Sequence, residues 1–420
     1  MAERKLGDMV MNTERLIEEC EKNSAQIFAS IDGIAYKNQV RVLQAFKKFK
    51  IALRHFAPTT GYGYDDTGRD TLSEVFAEIF EAEKAIVSPM ITSGTHALTL
   101  MLFGILRPGD VMLSITGDVY DTLQGVIEGK GTGSLKDFGI KYEKIELENG
   151  NFNLPAIKDA IKKLQPKMIF IQRSRGYSWR NALSVSEIKN VCKFLKELAP
   201  SLIIAVDNCY GEFTAEHEPT ALGADICAGS MIKNPGGGLA PTGGYVAGKA
   251  NLIETVGYRL TAPGVGTEVG SYAADYRPFY QGLFMAPHVT AQALKGAVLF
   301  GAVFSKLGYE TSPTENDIPN DIICSIKFGN KEDLITFCRT VQSVSPIDSH
   351  VVPYPWDMPG YGNQVIMAAG TFVQGASIEL SADSPIKEPY IAYLQGGLTY
   401  EHIKFAVTQC AAQIIAKNTK

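Results

Sequence analysis

One lysine stands apart in the segment CAGSMIKNPGGGLAPTGGY, which covers residues 227–245. Lys233 follows an apolar run and precedes a series of glycines, so the pattern predicts a cation at the end of a buried strand. Burial lowers the pKa of an ammonium group, and an amine with a lowered pKa is a nucleophile that can form a Schiff base with a carbonyl. The glycines would let the backbone approach a bulky ligand. The alternative is a surface lysine in a loop.

An acidic residue ends a second apolar run, in the segment LIIAVDNCYGEF. Asp207 directly follows five apolar residues, so we expect its carboxylate in the crevice at the end of a strand. A carboxylate in that position could keep the ring nitrogen of pyridoxal phosphate protonated, which makes the ring an electron sink. The alternative is an aspartate that caps a helix or lies in a loop.

A Ser-Gly-Thr turn opens an amphipathic helix in the segment TSGTHALTLML, residues 92–102. The backbone N–H groups of Ser93, Gly94 and Thr95 could bind phosphate there, because a helix N-terminus has unpaired donors and a favourable dipole. Ser230 offers a further hydroxyl near the lysine, and the Tyr120 ring could stack on a planar cofactor. Taken singly, a capped helix and a loop tyrosine are ordinary features, but with the lysine and the aspartate they form an ordered series.

Alternating strands and helices must position these side chains. Short apolar runs predict buried strands, and amphipathic patterns such as SVSEIKNVCKFLKEL, which opens with a capping box at Ser184 and Glu187, predict the helices between them. This alternation is typical of an α/β fold with a mostly parallel sheet that is covered on both faces. The predicted strands are KAIVSPMI, DVMLSIT, KMIFIQRS, LIIAVDN and DICAGSM.

The chain divides into three predicted parts. Residues 1–60 form an N-terminal helical arm, residues 61–310 form a large cofactor-binding domain, and residues 311–420 form a small α+β domain. The polar, proline-bearing stretch TSPTENDIPN marks the second boundary. The smaller domain is predicted from the strand-like segments DIICSIKF, QVIMAAGTF and SIELSAD, followed by a helix at residues 400–416.

Composition narrows the class of protein. The chain has 420 residues, 45% of them hydrophobic, and a net charge of −5, so it can build a large core and has no basic face for nucleic acid. Its charged N-terminal segment is neither a signal peptide nor a membrane span. The seven cysteines are scattered without a CxxC pair, which predicts reduced thiols in the cytoplasm and no metal site.

The ordered series resembles the fold-type-I pyridoxal-phosphate enzymes, the aspartate-aminotransferase-like superfamily, and most closely its cystathionine/methionine lyase branch. SGTHAL is similar to that branch's phosphate loop, AVDNCYGEF to its Asp-Asn-Thr-Phe strand end, and GSMIK to its His-Ser-x-Thr-Lys motif. Further segments, from about residue 55 to 410, resemble the methionine gamma-lyase-like or aluminium-resistance family: IQRSRGYSWR, PGGGLAPTGGY, QGLFMAPH and AYLQGGLTYEH.

The resemblance implies a pyridoxal 5'-phosphate-dependent carbon–sulfur lyase. Lys233 would form the Schiff base and act as general base, Asp207 would hold the ring nitrogen, and Tyr120 would stack on the ring. The substrate would be a sulfur-containing amino acid, which β- or γ-elimination would convert to an α-keto acid, ammonia and a thiol. The name of the family rests largely on its fold, so the substrate does not follow from it.

The same resemblance implies a homodimer or homotetramer with shared active sites. The polar segment GYGYDDTGRD is similar to a segment that reaches the phosphate of a neighbouring subunit in that branch. Tyr64 and Arg69 would make this contact, together with Thr267 of GVGTEVG. The alternative is a solvated loop.

Two departures from the branch concern anion binding. Ile232 stands where a threonine is expected, and the only arginine after Arg277 is Arg339, in an apparently helical segment. We therefore expect the substrate carboxylate at Arg173 or Arg175, which follow a buried strand, with a slight preference for Arg173. One arginine would face the pocket while the other supports it or pairs with Glu212 or Asp118; alternatively, both tie loops or subunits together.

Other functions stay open at this point. An aminotransferase or a retro-aldol enzyme on the same fold would use the same residues, and a non-catalytic protein could keep the fold without the chemistry. A nucleotide-binding module built on NPGGGLAPTGG is disfavoured, because the segment lacks the order of a P-loop and of a dinucleotide-binding turn.

Overall fold

A computed structural model describes residues 2–358 and 362–418, with side chains described for residues 13–358 and 362–417. The chain begins with two helices, α1 (Ala2–Asn23) and α2 (Ala25–Lys48), and a short 3₁₀ turn at Leu53–Phe56. Helix α2 packs against a later helix of the core and buries Val42 and Ala45. The predicted helical arm therefore lies on the body of the protein.

A seven-stranded sheet forms the centre of the larger α/β part. Its strand order is β1-β7-β6-β5-β4-β2-β3, and every pairing is parallel except those of β7. Because β7 runs against both of its neighbours, the carboxyl ends of the other six strands meet at one edge. The strands are β1 (Lys84–Ser88), β2 (Val111–Ser114), β3 (Lys141–Lys144), β4 (Met168–Gln172), β5 (Ile203–Asp207), β6 (Ile226–Ser230) and β7 (Gly244–Gly248).

Helices cover both faces of this sheet. In β4, Ile169 and Ile171 enter one core cluster while Met168 and Phe170 enter another, as alternation along a strand requires. This explains the continuous apolar runs that predicted a parallel sheet. The helices are α3 (Thr67–Ile79), α4 (Gly94–Ile105), α5 (Asp121–Glu128), α6 (Leu154–Leu164), α7 (Val185–Leu198), α8 (Ala250–Leu260) and α9 (Arg277–Lys306).

A five-stranded antiparallel sheet forms the smaller part, in the order β10-β11-β12-β9-β8. Its strands span residues 310–395, whereas those of the large sheet span residues 84–248. The division at residues 310 and 311 stays a domain prediction. The elements are β8 (Glu310–Ser312), β9 (Ile323–Lys327), α10 (Lys331–Ser343), β10 (Val365–Ala368), β11 (Ser381–Pro385), β12 (Ile391–Gln395) and α11 (Tyr400–Asn418).

The five predicted strands of the large sheet are all present, and the capping box of α7 forms as predicted. Strands β3 and β7 were missing from the prediction. The sequence of β3, KYEK, is polar because this strand lies at the edge of the sheet, and β7, GYVAG, carries two glycines. None of the helices in the described residues combines the length and apolarity that a membrane span requires.

Candidate active site

A cleft lies at the carboxyl edge of the large sheet and is closed on its far side by the smaller domain. Its volume is about 280 Å³, near the lower end of the range for small-molecule sites. The large-domain wall contains Ser93, Gly94, Thr95, Tyr120, Asp207, Ser230 and Lys233, and the small-domain wall contains Thr371, Gly375, Ser377, Asp383 and Gln395. Seven of the twelve predicted site residues thus meet in one cavity.

Lys233 comes just after β6, where the chain makes a 3₁₀ turn. Asn234 fixes this turn by donating its side-chain amide to the carbonyls of Tyr210 (3.1 Å) and Glu212 (2.9 Å) in the loop after β5. A Cβ at Gly236 would come within 1.7 Å of the Met231 carbonyl oxygen, so the turn requires glycine at that position. The glycines after the lysine therefore shape its own turn.

The Lys233 ammonium lies above the Tyr210 ring, with Nζ 4.0 Å from the ring centroid. Burial acts to lower the pKa of Lys233, but Cys209, Tyr210 and Asp207 act in the opposite direction, and the balance lies above the ordinary value. The expected lowering of the pKa by burial is therefore wrong for this arrangement. In the protein alone, Lys233 is a cation held by its aromatic and acidic surroundings.

Asp207 is the last residue of β5 and lies in register with Gln172 of β4 and Ala228 of β6. Its carboxylate accepts a hydrogen bond from the Cys209 N–H (3.1 Å). Burial raises the pKa of Asp207, while the charge of Lys233 acts to lower it. Asp207 is 6% exposed and lines the cleft. Its electrostatic partner there is the Lys233 ammonium group.

Helix α4 begins at the cleft. Ser93 caps it by accepting a hydrogen bond from His96 N–H (3.0 Å). A Cβ at Gly94 would lie 3.1 Å from Cys209 Sγ and 3.8 Å from Lys233 Nζ, so glycine leaves space where the helix meets the lysine. The Thr95 hydroxyl bonds to that of Thr122 (2.8 Å). The first turn of α4 thus presents N–H groups and a hydroxyl-rich rim, which suits an anion.

The Tyr120 ring stands at the start of α5, half-buried in the cleft wall. It contacts the Tyr177 ring with centroids 5.7 Å apart, and it lies against Gly176. Across the cleft floor, Ser230 is buried and its hydroxyl accepts the Ile232 N–H (3.2 Å). Both residues therefore line the cavity to which the sequence assigned them.

Tyr64, Arg69 and Thr267 lie outside this cleft in the single chain. Tyr64 is largely exposed, and the Arg69 guanidinium binds the Asp70 carboxylate (2.8 Å) and the Gly63 carbonyl (3.0 Å). Arg69 and Thr267 line a separate surface pocket. Their contact with a neighbouring subunit's phosphate stays a prediction.

Arg173 is fully buried and absent from the cleft lining, contrary to the preferred assignment. Its Nη1 donates to Asn208 Oδ1 (2.8 Å) and to the Gly211 carbonyl (2.7 Å), and its Nη2 donates to the Thr214 hydroxyl (2.9 Å). Its acidic partner is Glu218, at 3.7 Å. These partners occupy the fork that a substrate carboxylate would need, so the structure favours a structural role for Arg173.

Arg175 joins the two sheets instead of lining the cleft. Its Nε lies 3.4 Å from Asp321 Oδ2, and its Nη1 donates to the carbonyl (2.8 Å) and hydroxyl (2.7 Å) of Ser312. The expected acidic partners were wrong as well, because Glu212 accepts a hydrogen bond from Tyr245 and Asp118 pairs with Lys144. The arginines thus follow the alternative in which both tie loops together.

Two residues of the cleft, Tyr210 and Asp383, were not predicted from the sequence. The Tyr210 ring lies beneath the Lys233 ammonium group. Its backbone has a positive φ of 69°, which is a strained conformation for this residue type. The sequence signal that could have identified Tyr210 is its position directly after AVDNC, the segment that contains Asp207. Asp383 comes from β11, in a segment that gave only a strand pattern, so nothing in the sequence linked it to Lys233.

No cluster of three His, Cys, Asp or Glu side chains in the described parts of the chain could hold a metal ion. The cleft itself is lined by one lysine, two aspartates, two tyrosines and several hydroxyl groups.

Comparisons with known proteins agree with this geometry. The family model for methionine gamma-lyase matches residues 13–415. The uncharacterised protein YnbB of Bacillus subtilis is 51% identical over 403 residues, which are 95% of this chain and 96% of YnbB. These matches extend over both sheets and over every residue of the cleft.

Two crystal structures superpose closely on the chain. The carbon–sulfur lyase involved in aluminium resistance from Clostridium novyi has a TM-score of 0.93 and 47% identity, and the match covers 98% of both chains. A proposed cystathionine beta-lyase involved in aluminium resistance from Listeria monocytogenes has a TM-score of 0.92 and 50% identity, covering 94% of this chain and 98% of that one. The chain therefore belongs to the methionine gamma-lyase family, the pyridoxal-phosphate-dependent carbon–sulfur lyases of fold type I.

Proposed function

We propose that the protein cleaves a carbon–sulfur bond in an amino acid by β- or γ-elimination. The amino acid and water would yield an α-keto acid, ammonia and a thiol, with the Cα–H and carbon–sulfur bonds broken. The observation that carries the proposal is the meeting of Lys233, Asp207 and the first turn of α4 in one cleft. Family membership supports the reaction class but leaves the substrate and the type of elimination to experiment.

The cleft residues fit pyridoxal phosphate. The absence of a Cβ at Gly94 leaves space beside Lys233 Nζ, and the α4 N-terminus with the Ser93, Thr95 and Ser230 hydroxyls suits a phosphate. Asp207 offers a carboxylate for the ring nitrogen. When bound, the cofactor supplies an electron sink for the negative charge that develops at the substrate Cα.

The side chains of this chain would move and hold the protons. Lys233 Nζ would take the Cα proton as general base, and the Tyr210 ring beneath it would stabilise the ammonium that results. Asp207 would keep a proton on the ring nitrogen, since a buried carboxylate stabilises a nearby cation strongly. Tyr120, on the same large-domain wall, would orient the planar ring by stacking on it.

Product analysis tests the proposal. Release of keto acid, ammonia and thiol in equal amounts from a sulfur amino acid is the expected result. Transfer of the amino group to an added keto acid, without ammonia or thiol, would instead identify an aminotransferase. Reduction with borohydride followed by peptide mapping should label Lys233, and a label on another lysine would contradict its assignment.

We propose further that the active site is shared between subunits of a homodimer or homotetramer. The support is the surface pocket that brings Arg69 and Thr267 together away from their own cleft. A mixture of Arg69→Ala and Lys233→Ala chains should regain activity through hybrid sites. Hybrids that form without any recovery of activity would contradict the sharing.

We also propose a cytoplasmic location. All seven cysteines are free and buried, which suits a reducing compartment. Cell fractionation that recovers the protein outside the cytoplasm would contradict this location.

A further inference from the structure

The small-domain wall of the cleft carries one ionisable side chain that the proposed reaction does not use. Asp383 lies on β11, opposite Tyr393 of β12, and faces the cavity that contains Lys233. Gln395 donates its amide to Asp383 Oδ2 (2.9 Å), and the Tyr177 hydroxyl also donates to this carboxylate. Asp383 is only half-buried, so the cavity has access to it.

The charges of the cleft are unbalanced around this residue. Lys233, Asp207 and Asp383 are the charged side chains that line the cavity in the described residues. Lys233 and Asp207 are opposite charges with roles in the reaction, whereas Asp383 forms no salt bridge within the described chain. The nearby Arg175 uses its donors on Asp321 and Ser312. Within the described residues, an ionised Asp383 therefore has no salt-bridge partner, and Lys233 acts on it only through its charge across the cavity.

Asp383 is suited to accept hydrogen bonds at neutral pH. Burial raises its pKa to about 6, against the effects of Gln395, Tyr177 and Lys233, so the carboxylate is mostly ionised at pH 7. The hydrogen bonds from Gln395 and Tyr177 favour the ionised form, which accepts hydrogen bonds. A carboxylate in this state repels the α-carboxylate of an amino acid and attracts an ammonium group. The part of the substrate that reaches the small-domain wall should therefore carry positive charge.

We propose that Asp383 selects substrates whose sulfur-bearing side chain ends in an amine, so that the enzyme acts on cationic thioether amino acids in preference to neutral ones. This proposal rests on the elimination reaction proposed above for its chemistry, but its recognition step concerns binding alone. Asp383 is a specificity residue in this assignment, and Gln395 and Tyr177 position its carboxylate.

Two compounds with the same number of heavy atoms test the proposal. S-(2-aminoethyl)-L-cysteine carries the ammonium, and S-propyl-L-cysteine replaces it with a methyl group. The holoenzyme should show a kcat/KM for the cationic compound at least about tenfold higher, equivalent to about 1.4 kcal/mol. Asp383→Asn should remove most of this preference, chiefly through KM. The exposed Asp159→Asn is the matched control and should retain it.

Binding without turnover separates this proposal from the proposed function. The dissociation constants of both compounds are measured by calorimetry on the cofactor-loaded Lys233→Ala variant, alone and combined with Asp383→Asn. Preferential binding that depends on Asp383, with no elimination by the unsubstituted enzyme, would support the specificity role and reject the reaction. Equal affinity of the Lys233→Ala protein for both compounds would overturn the proposal even if the Asp383→Asn chain does not fold. A preference that persists in Asp383→Asn would overturn it too.

Discussion

The two walls of the cleft are built in different ways. On the large-domain wall, the chemical groups lie at the ends of parallel strands: Asp207 ends β5 and Lys233 comes soon after β6. On the small-domain wall, Asp383 and Gln395 project from the middle and end of antiparallel strands. In the proposed reaction, the first wall would hold the cofactor and the second would face the substrate. Residues of one wall can therefore be inferred from local pattern, while those of the other depend on how the domains pack.

The largest expected effect is on the first wall, at Lys233. Lys233→Ala removes the proton acceptor, and general bases contribute about 10²- to 10⁴-fold to rate, so we expect at least about a thousandfold loss of kcat. Release of keto acid measures it, with the exposed Lys158→Ala as control. Retention of a tenth of the activity would mean that another group takes the proton.

The next effect concerns the ring nitrogen. Asp207→Asn keeps the shape of the side chain but removes its charge, so kcat should fall at least about a hundredfold, which corresponds to about 2.7 kcal/mol of barrier. Cofactor content, measured by absorbance after release, should stay unchanged. Near-normal turnover would show that a different acid serves the ring.

A smaller effect is expected beneath the large-domain wall, on stability. Burial raises the pKa of Glu212 to about 8 from an ordinary 4.5, although the Tyr245 hydroxyl, which donates a hydrogen bond to its carboxyl, acts to lower it. The folded state then binds more protons than the unfolded state between these values. The free energy of unfolding should therefore fall as pH rises through this window, by about 1.4 kcal/mol per pH unit from this group.

The glutamine in Glu212→Gln does not titrate. The free energy of unfolding of this variant minus that of the unsubstituted protein should therefore increase from pH 5 to pH 8 and then level off. Denaturant unfolding at several pH values measures the difference. Glu18→Gln, at an exposed position of α1, should show a constant difference. A flat profile for Glu212→Gln as well would mean that Glu212 is ionised in the folded protein.

The smallest effect should come from the contact between the walls. The Tyr210 hydroxyl donates to Ser377 Oγ (3.1 Å), and this bond ties the residue beneath Lys233 to the small domain. Ser377→Ala removes one neutral hydrogen bond worth about 1 kcal/mol, so KM should rise about two- to fivefold with kcat little changed. The exposed Ser201→Ala is the control. A large loss of kcat would instead show that the contact holds the catalytic geometry.

The sequence by itself determined the strand ends of the large domain. Apolar runs predicted β1, β2, β4, β5 and β6, and the residues after them could be expected at one edge because parallel strands share their direction. The same reasoning brought Ser93, Tyr120 and Ser230 to the cleft. It failed for β3 and β7, where an exposed edge and two glycines remove the apolar pattern.

Only the tertiary structure decided the roles of the arginines and of the small-domain wall. Arg173 directly follows β4, at the same edge of the sheet where Asp207 ends β5. Its long side chain nevertheless turns inward to Asn208 and Thr214. The end of a strand determines where the backbone of a residue lies. The direction of a long, flexible side chain depends instead on which partners satisfy its hydrogen-bond donors. Asp383 lines the same cavity as Lys233 only because two separate sheets pack across the cleft, and local sequence carries no signal of that packing.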